Sequence, residues 1–131
     1  MSDRWRELVA LAGFAVSRDG QVVVSLPGGS RQDVMVDASH GPDVLRAWSV
    51  VATRRTIDAA LDEADTPLHY AWERNRLSEL VGFGIDRYGR LVGEVWIPLK
   101  GLEPDEAAVY LQELARVCDW HEFRLTGKDV Y

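Results

Sequence analysis

The sequence predicts an α+β fold, an antiparallel β-sheet meander flanked by helices in the order α-β-β-β-(β)-α-β-β-α, and three observations predict it. First, "FAVSRDGQVVV" at 14–24 is echoed sixty-nine residues later by "FGIDRYGRLVG" at 83–93, each an apolar alternation bent around an Arg-x-Gly triplet. Second, Gln32, Val34, Val36 and Ala38 alternate with Asp33, Met35 and Asp37, which is the two-residue period of a strand. Third, Ala107, Tyr110, Leu111, Leu114 and Cys118 fall on one helical stripe that needs a sheet to cover it. A chain of 131 residues, 47% apolar and 27% charged, has the size and composition for one such core, so residues 1–131 are read as a single domain.

The elements follow in order. Trp5, Leu8, Val9 and Ala12 recur at helical spacing over 2–12, with Ser2 to cap the start and Gly13 to end the helix in a left-handed conformation. The first hairpin comes next. A two-residue loop at Asp19-Gly20 would set Phe14 opposite Ser25 and mix the faces. A three-residue loop, Arg18-Asp19-Gly20, pairs Val16 with Val22 and Phe14 with Val24 and gathers the apolar side chains on one side. The second hairpin gives the same answer: Arg87-Tyr88-Gly89 as the loop aligns Ile85 with Leu91, Phe83 with Gly93 and Val81 with Val95, and sets Asp86 against Arg90. Five identities at constant offset, and a helix before each hairpin, read as a helix-hairpin unit made twice. Convergence on the same junction chemistry remains the plainer alternative.

Between the hairpins, "PGGS" at 27–30 makes a turn into the strand at 32–38, and His40-Gly41-Pro42 ends it. The stretch 43–53 is a further strand with apolar residues at both parities, so its inward side stays open. Ile57, Ala60, Leu61 and Ala64 suggest a short helix, and Thr66-Pro67 opens another through about Glu79. Pro104, followed by Asp105 and Glu106, starts the longest helix. Trp48, Trp72, Trp96 and Trp120 fall at steps of 24, but nothing else repeats at that step and the four belong to different kinds of element.

Charge narrows the function. Residues 1–60 carry seven acids and seven bases, whereas 61–131 carry fourteen acids and eight bases, so the net −6 belongs to the second half. That balance excludes a basic stripe for gripping phosphates, and no direct nucleic-acid contact is expected. No apolar run has the length of a membrane span. The charged start "MSDRWREL" and the single cysteine point to the cytoplasm.

The candidate chemistry is thin. Cys118 and His121, three apart on one helix, have the spacing of a nucleophile and base, which leaves a thiol-dependent enzyme or redox sensor as an alternative. Cys118 also continues the apolar stripe, where a free cysteine acts as a small hydrophobe, and this is the stronger reading. His40 and His69 are isolated in sequence. Asp62, Glu63 and Asp65 cluster in a polar segment, and Glu103, Asp105 and Glu106 mark a helix start; neither has calcium-loop spacing. "GGS" at 28–30 and "GFG" at 82–84 lack the rest of a phosphate loop. No catalytic residue, metal or cofactor is expected.

Apolar material on the wrong side of the sheet is the stronger signal. The derived register leaves Gly82, Gly84, Val92, Glu94 and Trp96 facing away from the helices, and Met35 likewise points away from Val34 and Val36. Either Trp96 lies across the two glycines and fills them, or the face receives another chain. Met35, Trp48, Trp72, Gly82, Gly84, Val92 and Trp96 are the expected protein-binding or dimer-interface residues, on a flat surface rimmed by acids.

The second half, "WERNRLSELVGFGIDRYGRLVGEVWIPLKGLEPDEAAVYLQEL", resembles the YbjN family and, in fold, the type III secretion chaperones. The resemblance covers most of the chain and is strongest from Trp72 to Val117, on Asn75, Leu77, Gly89, Ile97-Pro98-Leu99, Gly101-Leu102 and Pro104. It implies a small homodimeric α+β module that binds other proteins and has no enzymatic activity. This chain departs from the pattern in Glu103, where a better helix cap is usual, and in extra material at 55–66. The expectation is therefore a chaperone-like binding module, with an adaptor for a nucleic-acid-binding protein as an alternative.

Overall fold

The computed structural model describes residues 4–60, 71 and 80–126. Helix α1 (Arg4–Leu11) ends as its glycine requires: Gly13 takes φ 99°, its amide donates to Ala10 O and the Phe14 amide donates to Val9 O. Trp5, Leu8 and Val9 are its buried face. The chain leaves this cap with the Phe14 amide already used, so the first arm of the first hairpin is not the strand the alternation suggested. It keeps one ladder bridge, Val16 opposite Val22.

That bridge and the bend beyond it hold the expected register. The Ser17 amide donates to Gln21 O and the Gly20 amide to Ser17 O, with Gly20 at φ 84°. The second bend repeats the arrangement: the Asp86 amide donates to Arg90 O, the Gly89 amide to Asp86 O, and Gly89 sits at φ 76°. Arg6 also reaches from α1 to bond the carbonyls of Ser17 and Arg18 at 2.8 and 2.9 Å, tying helix to bend.

Among the described residues, five antiparallel strands form the sheet: β1 (Gln21–Ser25), β2 (Arg31–Asp37), β3 (Val44–Ala52), β4 (Gly82–Ile85) and β5 (Leu91–Pro98), in the order β1-β2-β3-β5-β4. The meander through β1, β2 and β3 is interrupted once. The chain passes to the far edge for β4 and returns inside it as β5. Ile85 pairs with Leu91 and Phe83 with Gly93, as derived from the loop length. Side chains alternate across the sheet. Val22, Val24, Val34, Val36, Leu91, Val95 and Ile97 point inward and are buried. The structure also decides β3: Leu45, Ala47, Ser49 and Val51 face in, and a register shift between Val50 and Ala52 ends the alternation.

Short helix α2 (Arg54–Ala60) starts where the Thr53 hydroxyl accepts from the Thr56 amide, three residues ahead of the stripe that suggested it. The helix expected over 67–79 lies outside the described residues, apart from Ala71, which is helical and buried. Helix α3 (Pro104–Thr126) has an entry that answers the missing cap: the Glu106 carboxylate accepts from the Glu103 amide at 3.2 Å, half of a capping box. Its stripe of Ala107, Leu111, Leu114 and Cys118 is buried against the sheet, with Tyr110 partly so. Closest approach falls at Gly93, where a Cβ would lie 2.5 Å from Cys118 Sγ. Two buried polar groups meet at the centre: Gln32 Nε2 donates to Ser49 Oγ and to Val50 O.

A candidate protein-binding face

With α3 on the inner side, the outward side chains of the sheet form the other surface. Strand pairing lays them in rows. Gln21, Met35, Trp48, Glu94 and Gly82 stand side by side across all five strands. Val50, Val92 and Gly84 make a neighbouring row, and Asp37, Arg46 and Trp96 another. Six of the seven residues singled out from sequence therefore share this face: Met35, Trp48, Gly82, Gly84, Val92 and Trp96. Trp72 lies outside the described residues.

Trp96 is 46% exposed. It does not fill the two glycines. Among the described residues, a Cβ at Gly84 would meet nothing within 4 Å, and at Gly82 only the Glu94 carbonyl at 4.0 Å. The ring is met instead by His40, edge-on at 5.0 Å between centroids, and His40 Nε2 stands 3.1 Å from Asp37 Oδ2. Hydrogen bonds from Ser39, with His40 nearby, hold the Asp37 carboxyl below its ordinary value against a smaller opposing effect of burial.

The rim is not simply acidic, which corrects the expectation from composition. Arg46 Nε lies 2.6 Å from Glu94 Oε2, and Arg90 Nε 2.7 Å from Asp86 Oδ2. Both guanidiniums also stand over Trp48, at 5.6 and 6.0 Å from the ring. Beside the second bend Arg46, Trp48, Asp86 and Arg90, with Arg87, Tyr88 and the buried Val92, line an open cleft of about 350 Å³. Sequence reading found the Asp86–Arg90 pair and missed Arg46, Arg87 and Tyr88. Residues 46 and 87 come together only through the pairing of β3 with β5, which no local pattern announces.

Asp86 organises the bend. Burial works to raise its carboxyl, but hydrogen bonds from Arg90 and Tyr88, with the Arg90 charge, outweigh it and hold the group below the ordinary aspartate value.

Cys118 and His121 do not make a thiol site. Cys118 is fully buried beneath Gly93, and burial, with the charges of Glu122 and Asp119 adding to it, pushes the thiol far up, away from the thiolate that chemistry needs. His121 packs edge-on to Phe83 and Trp120. Glu103, Asp105 and Glu106 serve the start of α3, whereas Asp62, Glu63, Asp65 and His69 lie outside the described residues. Among the described residues no group of three or more His, Cys, Asp or Glu is placed to hold a metal ion, and no helix is long and apolar enough to cross a membrane.

No family model and no curated protein matches the chain. Solved structures do. One chain of the HopA1–SchA chaperone–effector complex is similar over 95% of this chain and 94% of its own length, with a TM-score of 0.58 and 11% identity. The structure of the Yersinia pestis type III secretion chaperone SycH with a stable fragment of YscM2 is similar over 84% and 92%, with a TM-score of 0.52 and 11% identity. At that identity the likeness is one of architecture: the chain has an α+β fold of the type III secretion chaperone kind.

Proposed function

We propose that residues 1–131 act as one cytoplasmic, homodimeric, chaperone-like module without catalytic activity, which holds an extended segment of a partner protein against the outer face and edge of its sheet. The observation that carries the reading is a sheet face that no helix among the described residues covers, on which Trp96 is 46% exposed. A flat surface with one large exposed aromatic suits a polypeptide better than a small substrate, which a concave pocket would enclose. β4 supports it further: among the described residues it is an edge strand, short and rich in glycine, the kind of edge to which a further strand can add.

The fold likeness to chains from chaperone complexes supports the same class, and so does the YbjN resemblance of residues 72–117. Self-association is assigned to the segment from Pro67, which brings Trp72, together with the second hairpin.

Light scattering tests the dimer: a mass twice the 14.7 kDa of the chain is expected at micromolar concentration, and a monomer there removes that part of the reading. Trp96→Ala tests the face. With just over half its surface buried, Trp96 contributes about 2 kcal/mol to folding, whereas loss of a central interface tryptophan weakens association about thirtyfold or more. A large loss of folding with self-association and partner capture intact would mark the residue as packing.

A further inference from the structure

The geometry points to a specificity site within that face: the cleft at the second bend receives one carboxylate, from an Asp or Glu that neighbours an apolar or aromatic residue in the bound segment. The inference rests on the proposed protein-binding reading and names what that face selects.

Charge counting carries it. Three guanidiniums line the cleft, and two have acidic partners at 2.6 and 2.7 Å: Arg46 with Glu94, and Arg90 with Asp86. Arg87 is exposed and meets no carboxylate among the described residues. Its Nη2 donates to the Tyr88 hydroxyl at 2.8 Å, and its guanidinium stands 4.9 Å from the Tyr88 ring centroid. The cleft thus keeps one positive charge on a chain whose net charge is −6. One carboxylate satisfies it, and the planar fork of Arg87 matches a carboxylate in geometry. A run of acids would meet the remaining field of the protein and be repelled.

The surroundings specify what stands beside the carboxylate. Trp48 offers an apolar wall, and the Cβ position of Gly84 meets nothing within 4 Å among the described residues, so that a main chain can come close. β4 is also an edge strand. A polypeptide uses all three features. A nucleic acid strand would find the same arginines and aromatic rings, but its next phosphates would run toward Asp33 and Asp37 on the same face.

The test presents the full chain to a random octapeptide library and, separately, to a fluorescent twelve-residue oligothymidine, using wild type and Arg87→Gln. Because Arg87 is exposed on the bend, the variant is expected to unfold at the wild-type temperature, which is checked first. Wild type should select peptides with one Asp or Glu beside an aromatic or aliphatic residue. Arg87→Gln should bind those peptides roughly tenfold more weakly while binding their Gln analogues as wild type does. Peptide selection with no acidic preference, or a preference that survives Arg87→Gln, overturns the carboxylate site and leaves the protein-binding reading standing. No peptide selected at all overturns both. Oligothymidine binding that Arg87→Gln abolishes overturns the peptide in favour of nucleic acid.

Discussion

Gly93 is where the fold tolerates least. It lies on the inner side of β5 directly beneath α3, and a Cβ there would sit 2.5 Å from Cys118 Sγ, 3.3 Å from Val81 Cγ1 and 3.6 Å from Leu114 Cδ1. Its φ lies outside the left-handed region, so alanine is conformationally allowed, and on backbone grounds alone Gly93→Ala would stabilise by about 0.4–1 kcal/mol. Overpacking opposes this. Sulfur and carbon must move apart by about 1 Å inside a close-packed layer, a strain that typically costs about 1–3 kcal/mol. The strain exceeds the backbone gain, so Gly93→Ala should lose about 1–2 kcal/mol. Equilibrium urea unfolding followed by tryptophan fluorescence, at unchanged m-value, measures it. The cause is tested by repeating the substitution in Cys118→Ala. With the sulfur gone, Gly93→Ala should become neutral or stabilising, a coupling of about 1–3 kcal/mol. Equal costs in the two backgrounds, or a stabilised single variant, would refute contact between this glycine and this cysteine as the point where helix meets sheet.

Two further outcomes are expected. Asp86→Asn removes the carboxylate that three groups of the second bend share, and should cost about 1 kcal/mol at neutral pH in chemical denaturation. Because the folded state depresses the Asp86 pKa, its contribution is present above the unfolded value and is lost as pH falls through the folded one. The gap between wild type and variant should therefore close as pH falls below the ordinary aspartate range, and a gap that persists in strong acid would count against the assignment. Gly20→Ala and Gly101→Ala both place alanine at positive φ, 84° and 73°, but only at Gly20 does the new Cβ meet backbone, 2.6 Å from Val36 O. Thermal unfolding should show about 1–2 kcal/mol lost at Gly101 and about 3 kcal/mol or more at Gly20; equal losses would mean that the first bend is free to move off β2.

Much of the fold was legible because it is local. The lengths of the two bends follow from glycine placement and alternation within a dozen residues, and both registers agree with the structure. The buried stripe of α3 is a matter of period. What misled was also local: the alternation through Phe14 and Val16 reads as a strand, but helix α1 claims the Phe14 amide for its cap and only the bridge at Val16 remains.

Of the candidate face, Met35, Val92, Trp96 and the glycines could be placed from register alone, since two-residue periodicity fixes which side each takes once a bend is known. Strand β3, apolar at both parities, gave no such signal, and its inward side was decided by which residues α3 covers.

By itself the sequence determined the two bends, the buried stripe of α3 and the side of the sheet on which Trp96 stands, because each depends on torsion preferences and periodicity within a few residues. Tertiary structure alone decided that β5 lies between β3 and β4 and that Arg46, Arg87 and Arg90 therefore converge on one cleft. Strand order is set by which long-range pairings bury the most apolar surface together, a quantity summed over the whole chain and written in no single stretch of it.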